Sequence, residues 1–180
     1  MKNISFICGS LLLMPGLVFA SYTPEVERTI PKDPKVNISV YIPSLLVGIL
    51  SGDINFKLTD KVTLGPQLQY FSYGEHTGGY DVGLSMNYAL SGKVFDDRIW
   101  LFNPYVAYSY NDLSFDEYED GKVKKAGIVT GANLVYQWMW NSGVNLRAGV
   151  GAYYSSRKPL LDIGGSHIGG MVLFSIGYAF

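Results

Sequence analysis

The sequence predicts an all-β fold, an eight-stranded antiparallel transmembrane β-barrel. Three observations carry that expectation. Apolar residues recur at every second position along most of the chain, the period of a strand with two unlike faces. The alternating segments run about 10 to 13 residues, close to the ~9–11 that a tilted strand needs to cross the hydrocarbon of a bilayer. The second face of each segment is Gly, Ala, Ser, Asn and Gln with a few charges. Such a face suits a narrow, packed lumen better than a solvated surface.

Residues 1–20 read as a signal peptide. Lys2 supplies a positive start, and Ile4 to Val18 is an apolar stretch broken by Pro15 and Gly16. Val18-Phe19-Ala20 puts small side chains where a signal peptidase reads, so cleavage is expected after Ala20. The stretch is shorter than the ~20 apolar residues of a spanning helix. Cys8, the one cysteine, leaves with it, and no disulfide is expected in the mature fold. Residues 21–34 hold Pro24, Pro31 and Pro34 among mixed charges and read as a flexible periplasmic lead. The barrel takes residues 35–180.

The strands follow in order. Val36, Ile38, Val40 and Ile42 mark the first, 36–42. Leu50, Ile54, Phe56 and Leu58 mark the second, 45–59. Val62, Leu64, Leu68 and Tyr70 mark the third, 61–73. Tyr80, Val82, Leu84, Met86, Tyr88 and Leu90 mark the fourth, 79–90. Trp100, Phe102, Val106, Tyr108 and Tyr110 mark the fifth, 99–111. Ile128, Leu134, Tyr136 and Trp138 mark the sixth, 124–138. Val144, Leu146, Val150 and Tyr154 mark the seventh, 143–155. Val172 and the alternating residues after it mark the eighth, 169–180. An even count places both chain ends on one side. Thr59-Asp60, residues 91–98 and Asn141-Ser142 are then periplasmic turns. Pro43-Ser44 and residues 74–78, 111–123 and 156–168 are outer loops, the short-turn, long-loop asymmetry of membrane barrels. Pro66 and Pro104 lack a donor inside apparent strands, so each predicts a bulge or a strand end.

A soluble barrel would bury the apolar row, whereas a membrane barrel turns it outward. Tyr80, Tyr88, Trp100, Tyr108, Tyr136, Trp138 and Tyr154 lie on that row near strand ends, the placement of an interfacial aromatic girdle. Phe174, Ile176, Tyr178 and the terminal Phe180 resemble the C-terminal signature of bacterial outer-membrane barrels, which the barrel-assembly machinery reads. The run Ile42-Pro43-Ser44-Leu45-Leu46-Val47-Gly48, with Leu58-Thr59-Asp60-Lys61-Val62-Thr63-Leu64-Gly65-Pro66, resembles small, mostly uncharacterised eight-stranded outer-membrane β-barrel domain proteins. The resemblance spans essentially the mature chain. It implies the outer membrane of a Gram-negative-type bacterium, a surround of outer-membrane lipid and lipopolysaccharide, and the assembly machinery as a partner during insertion. It names no extracellular partner. Members include structural barrels, adhesins and lipid-modifying enzymes, so the fold does not settle the activity.

The residues themselves point away from catalysis. A formal net charge of −1 gives no basic surface for nucleic acid. The two histidines, His76 and His167, fall in expected outer loops. Ser166 beside His167 would point to the opposite face of an extended segment, which makes a poor nucleophile–base pair, and no catalytic residue is assigned. Two separated histidines make no zinc site. The acidic stretch from Asp112 to Gly121 lacks the spacing of a helix-flanked calcium loop, so no metal or cofactor is expected. Asp53, Lys57, Asp81 and Arg147 fall on the inward row. Buried charges are costly alone, and these four are expected to pair across the lumen; the alternative is a narrow ion pathway. The function expected is a structural or surface-interaction role with a side-chain-filled lumen. A narrow conduit for small solutes or apolar molecules and a lipid A-modifying hydrolase are the alternatives.

Overall fold

A computed structural model describes residues 33–73, 77–114, 122–156 and 167–180. The expected signal peptide and the lead as far as residue 32 lie outside the described residues. Eight antiparallel strands close into a barrel in sequence order. They are β1 Val36–Tyr41, β2 Ile49–Lys57, β3 Val62–Tyr73, β4 Thr77–Ala89, β5 Arg98–Ser114, β6 Lys122–Met139, β7 Val144–Ser155 and β8 Ile168–Ala179, with a short helix α1, Ile42–Leu46, between β1 and β2.

Main-chain bonds of the last residue seal the seam. Phe180 accepts from Lys35 and Val36 at 2.8 and 3.0 Å, and its own N–H donates to Val36 O at 2.9 Å. The register then runs from Asn37↔Ala179 to Tyr41↔Ser175 and stops. Here the expected boundaries need correction. The first strand ends at Tyr41 and the second begins at Ile49 rather than at residue 45. The connector is not a two-residue loop but α1, with Pro43 in its first turn, closed by Gly48 at φ +77°. Proline has no N–H for a ladder and its φ is already helical, so Pro43 starts a helical turn where a strand would have continued.

The opposite correction applies to the β5–β6 hairpin. The ladder runs on past the expected strand ends, through Asn111↔Lys125 to Ser114↔Lys122. Much of the expected loop 111–123 is therefore paired strand.

Neither proline makes a bulge. The β2–β3 ladder omits the pairs beside Pro66 and resumes in the same register, from Asp53↔Gln67 to Phe56↔Leu64. The β4–β5 ladder likewise resumes from Ser85↔Tyr105 to Tyr88↔Phe102 around Pro104. At Pro104 the missing donor is replaced by a side chain: Asn103 Nδ2 donates to Met86 O at 2.9 Å. A buried carbonyl left without a donor is costly. The preceding asparagine keeps the strand flat where an extra residue would have bent it.

The two faces have opposite chemistry. Ile38, Leu50, Leu68, Val82, Leu84, Val106, Ile128, Val150 and Val172 are exposed on the outer wall, Val172 at 73%. Asn37, Asn55, Asn87, Asn103, Asn133, Gln137, Asn145 and Arg147 are buried inside. The alternation puts the apolar row outward and the polar row inward.

Candidate functional site

The lumen has three levels. The lowest, at the end where β1 begins and β8 stops, is apolar. Residues 91–97, all within the expected turn 91–98, fold inward over the barrel mouth. Val94 and Phe95 are buried against Ile99, Leu101, Val135 and Met139. Main-chain bonds fix this base: Val94 N donates to Asp60 O at 2.8 Å and Met139 N to Asp97 O at 2.7 Å. Gln137 Nε2 donates to Val94 O at 3.0 Å, tying the turn to the wall.

Above it lies a layer of linked amides. Asn133 donates to Asn103 Oδ1 at 2.9 Å, Asn103 to Asn87 Oδ1 at 3.1 Å, and Asn87 to Asn55 Oδ1 at 2.9 Å. Asn55 then donates to Asp53 Oδ1 at 2.6 Å. Four strands are thereby joined through the lumen without a charge pair. Primary amides donate and accept together, so each can relay to the next across a narrow barrel.

The four inward charges do not form the mutual network expected of them. Asp53 accepts from Tyr41 Oη at 2.6 Å and from Asn55. Asp81 accepts from Ser109 Oγ. Arg147 donates to Gln137 Oε1 at 2.9 Å; in the amide orientation of Asn37 that satisfies its neighbours, Arg147 also donates to Asn37 Oδ1 at 3.2 Å. Lys57 is at the barrel rim, where it pairs with Asp33 and, at 2.8 Å, with Asp60. The reason is height. Lys57 ends its strand, and its long stem reaches the turn and the lead sooner than it reaches across the lumen. The ammonium groups of Lys35 and Lys57 hold the Asp33 carboxyl down at about 2, and those of Lys57 and Lys93 hold Asp60 below its ordinary value.

The third level is open. A cavity of about 380 Å³ lies above the amides, lined by Tyr41, Ser51, Gln67, Gln69, Asp81 and Tyr105 among others. Asn111 and Asn133 are among its lining residues; their Oδ1 atoms are buried beside Gly79 and Gly151 and have no hydrogen-bond partner among the described residues. Nothing in the sequence pattern distinguished this level from the one below. Gln67 and Gln69 at alternate positions were the available signal.

The remaining expected positions can be placed. Trp100 meets Tyr136 edge-on at 4.9 Å and Tyr136 meets Trp138 at 4.6 Å, near the base. Tyr88, Tyr108 and Tyr154 are exposed on the wall, and Tyr80 stacks on Tyr110 at 5.5 Å toward the other end. Phe174, Ile176, Tyr178 and Phe180 all face outward along β8. His167 places Nδ1 2.8 Å from the Ser155 carbonyl and lies beside Tyr154. His76, Ser166 and residues 115–121 of the acidic stretch lie outside the described residues. Among the described residues no group of three or more His, Cys, Asp or Glu is placed to hold a metal.

Comparison with known proteins agrees on architecture. The chain is similar to the N-terminal β-barrel domain of Pseudomonas aeruginosa OprF, with a TM-score of 0.61 and 14% identity over 82% of this chain and 98% of that one. At that identity the likeness concerns the fold. No family model and no curated protein matches the chain.

Proposed function

We propose that this chain is an outer-membrane β-barrel protein, sealed at its periplasmic end, that works at the outer surface as a structural or surface-interaction protein. The observation that carries the reading is the inverted wall: exposed Leu, Ile, Val and aromatic side chains outside, buried amides inside. In water such a wall would aggregate; in hydrocarbon it needs no further cover, and ring closure from Tyr41↔Ser175 to Phe180 satisfies the edges of β1 and the lower part of β8, which lipid cannot. The aromatic clusters near the strand ends act as interfacial girdles, and the outward Phe174, Ile176, Tyr178 and Phe180 serve the assembly machinery. Export by a peptide cleaved after Ala20 belongs to the same reading.

Two features support a surface role. The apolar base blocks the passage an ion or solute would need, so the inward charges serve structure and not conduction. The β5–β6 hairpin, with strands of 17 and 18 residues, is taller than the bilayer. At about 2.5 Å of axial rise per tilted residue it reaches roughly 40 Å, against ~30 Å of hydrocarbon. Its upper part therefore stands in the lipopolysaccharide layer as a contact surface. A catalytic role finds no support in His167, whose ring nitrogen is occupied by a main-chain carbonyl.

The test uses the purified full chain. A gel shift between unheated and boiled samples in detergent, insertion into phosphatidylcholine vesicles, and silence in planar bilayers are expected. A chain that stays monomeric in plain buffer overturns the membrane assignment, and discrete conductance steps overturn the sealed base.

A further inference from the structure

A chain of ion pairs runs along the rim at the lower end of the barrel. Lys35 pairs with Asp33, Asp33 with Lys57, Lys57 with Asp60 at 2.8 Å, and Asp60 with Lys93 at 3.2 Å. Its two ends belong to different parts of the fold. Lys35 lies at the seam, where its N–H donates to Phe180 O at 2.8 Å. Lys93 lies in the turn that plugs the mouth. Asp60 holds that turn twice, by its carboxylate at Lys93 and by its main-chain oxygen, which accepts from Val94 N at 2.8 Å. The links are unequal. The side chains of Lys35 and Lys93 are 68% and 62% exposed, whereas that of Lys57 is 10% exposed. Exposed pairs hold little. The strength of the chain therefore lies at its middle, where one shielded ammonium meets two carboxylates, and where Lys57 N also donates to Lys35 O at 2.7 Å. The backbone of Asp33 is a second sign. Its φ of +72° is in the left-handed region that residues with a side chain adopt rarely. Such a conformation persists where its surroundings hold it, and here two lysines do.

We infer that residues 33–35 are a strap at the rim, and that Lys57 is the latch through which this strap keeps the plug turn seated. The inference rests on the sealed base proposed above and adds what ties the seal to the rest of the barrel. Apolar packing holds Val94 and Phe95 in the mouth; the ion chain makes that seating depend on the closure of the seam. The influence of Asp33 on the turn passes through Lys57 and Asp60. Releasing residues 33–35 therefore loosens the plug as well as the seam, and the two open as one cooperative unit. An event that draws the strap away from the rim is in this way felt at the mouth.

The experiment is amide hydrogen exchange of the full chain in phosphatidylcholine nanodiscs. Val94 N–H, bonded to Asp60 O, reports the plug; Val36 N–H, bonded to Phe180 O, reports the seam; Leu101, within the β5–β6 ladder, is the reference. Lys57→Met keeps the stem and removes the charge. Asp33→Asn removes the charge at a residue whose left-handed backbone asparagine also tolerates. Each variant is expected to speed exchange at both Val94 and Val36 about threefold to tenfold, with Leu101 unmoved. Raising KCl from about 0.05 M to about 1 M, where screening reaches down to a few ångströms, should do the same in the parent and add nothing in Lys57→Met. Faster exchange at Val94 in Lys57→Met with none in Asp33→Asn overturns the strap. A faster Val94 beside an unmoved Val36 overturns the coupling. Protection of Val94 that is equal in all three proteins overturns the latch and leaves the sealed base standing. Free exchange of Val94 in the parent sinks the sealed base itself, and failure to enter nanodiscs sinks the membrane reading; both are seen before any variant is compared.

Discussion

Removing the stopper at the base is the sharpest test of how the barrel is held together. In the double variant Val94→Ala, Phe95→Ala the turn keeps its main-chain bonds, including Val94 N to Asp60 O at 2.8 Å and Gln137 to Val94 O at 3.0 Å. Only packing is lost. Phe95 is 7% exposed and Val94 1% exposed, so nearly all of both side chains is removed from a dry layer. Truncating a buried Phe costs about 3–5 kcal/mol, and deleting two methyls of a buried Val about 1.5 kcal/mol. Adjacent residues share one cavity, so the sum is discounted to about 3–5 kcal/mol. Urea unfolding from phosphatidylcholine vesicles, followed by tryptophan emission, reads the change. With a slope of ~2 kcal/mol per molar urea the midpoint falls by roughly 2 M at unchanged slope. The same variant is expected to pass ions in planar bilayers where the parent is silent. A midpoint within about 0.5 M of the parent, together with silence, would refute the placement of residues 91–97 inside the mouth.

Three further outcomes follow from single contacts. A Cβ at Gly65 would overlap the Ile54 carbonyl, whereas one at Gly170 meets nothing nearer than Gly151 O at 3.9 Å; Gly65→Ala should cost about 1–3 kcal/mol in the urea assay and Gly170→Ala under ~0.5. Asn103→Leu orphans Met86 O and cuts the amide relay, for about 2–3 kcal/mol; Pro104→Val added to it returns an N–H to Met86 O and should recover about 1 kcal/mol, and a purely additive pair would refute the side-chain substitution for the missing donor. Asp33 titrates near 2 because of its lysine partners, while its unfolded value is ~3.9. A depressed carboxylate stabilises the fold fully above the unfolded value and loses that contribution as pH falls toward the native one. Carboxyl resonance titration should therefore place Asp33 near 2 in the folded barrel and higher in Lys57→Gln or strong salt, and an ordinary midpoint in the parent would sink the rim assignment.

The barrel was legible because its two faces have opposite requirements. Apolar exterior and polar lumen alternate with the pleat, so Tyr80 to Leu90 and Val144 to Tyr154 could be assigned a face from spacing alone. What escaped the pattern depends on depth along the barrel axis, which a period of two does not encode. Lys57 looked like one of four inward charges that would pair across the lumen, yet it ends its strand and is taken by Asp33 and Asp60. Val94 and Phe95 were two apolar residues in an otherwise polar turn, and only the barrel mouth beneath them shows why. Ile42-Pro43-Ser44-Leu45-Leu46 continues the apolar run that precedes it, but Pro43 makes a helical turn there as readily as a loop.

That local choice sets the architecture of the upper lumen. Had residues 42–46 remained extended, they would have continued the ladder along β8, with partners for Phe174 back to Gly170. Ending β1 at Tyr41 joins a polar cavity to an apolar exterior at one level, and it does so while the seam below, from Tyr41 to Phe180, stays fully paired. The barrel thus differs along its axis: packing and amide relay lie below, where the β1–β8 ladder is complete, and α1 stands above in place of further β1 strand.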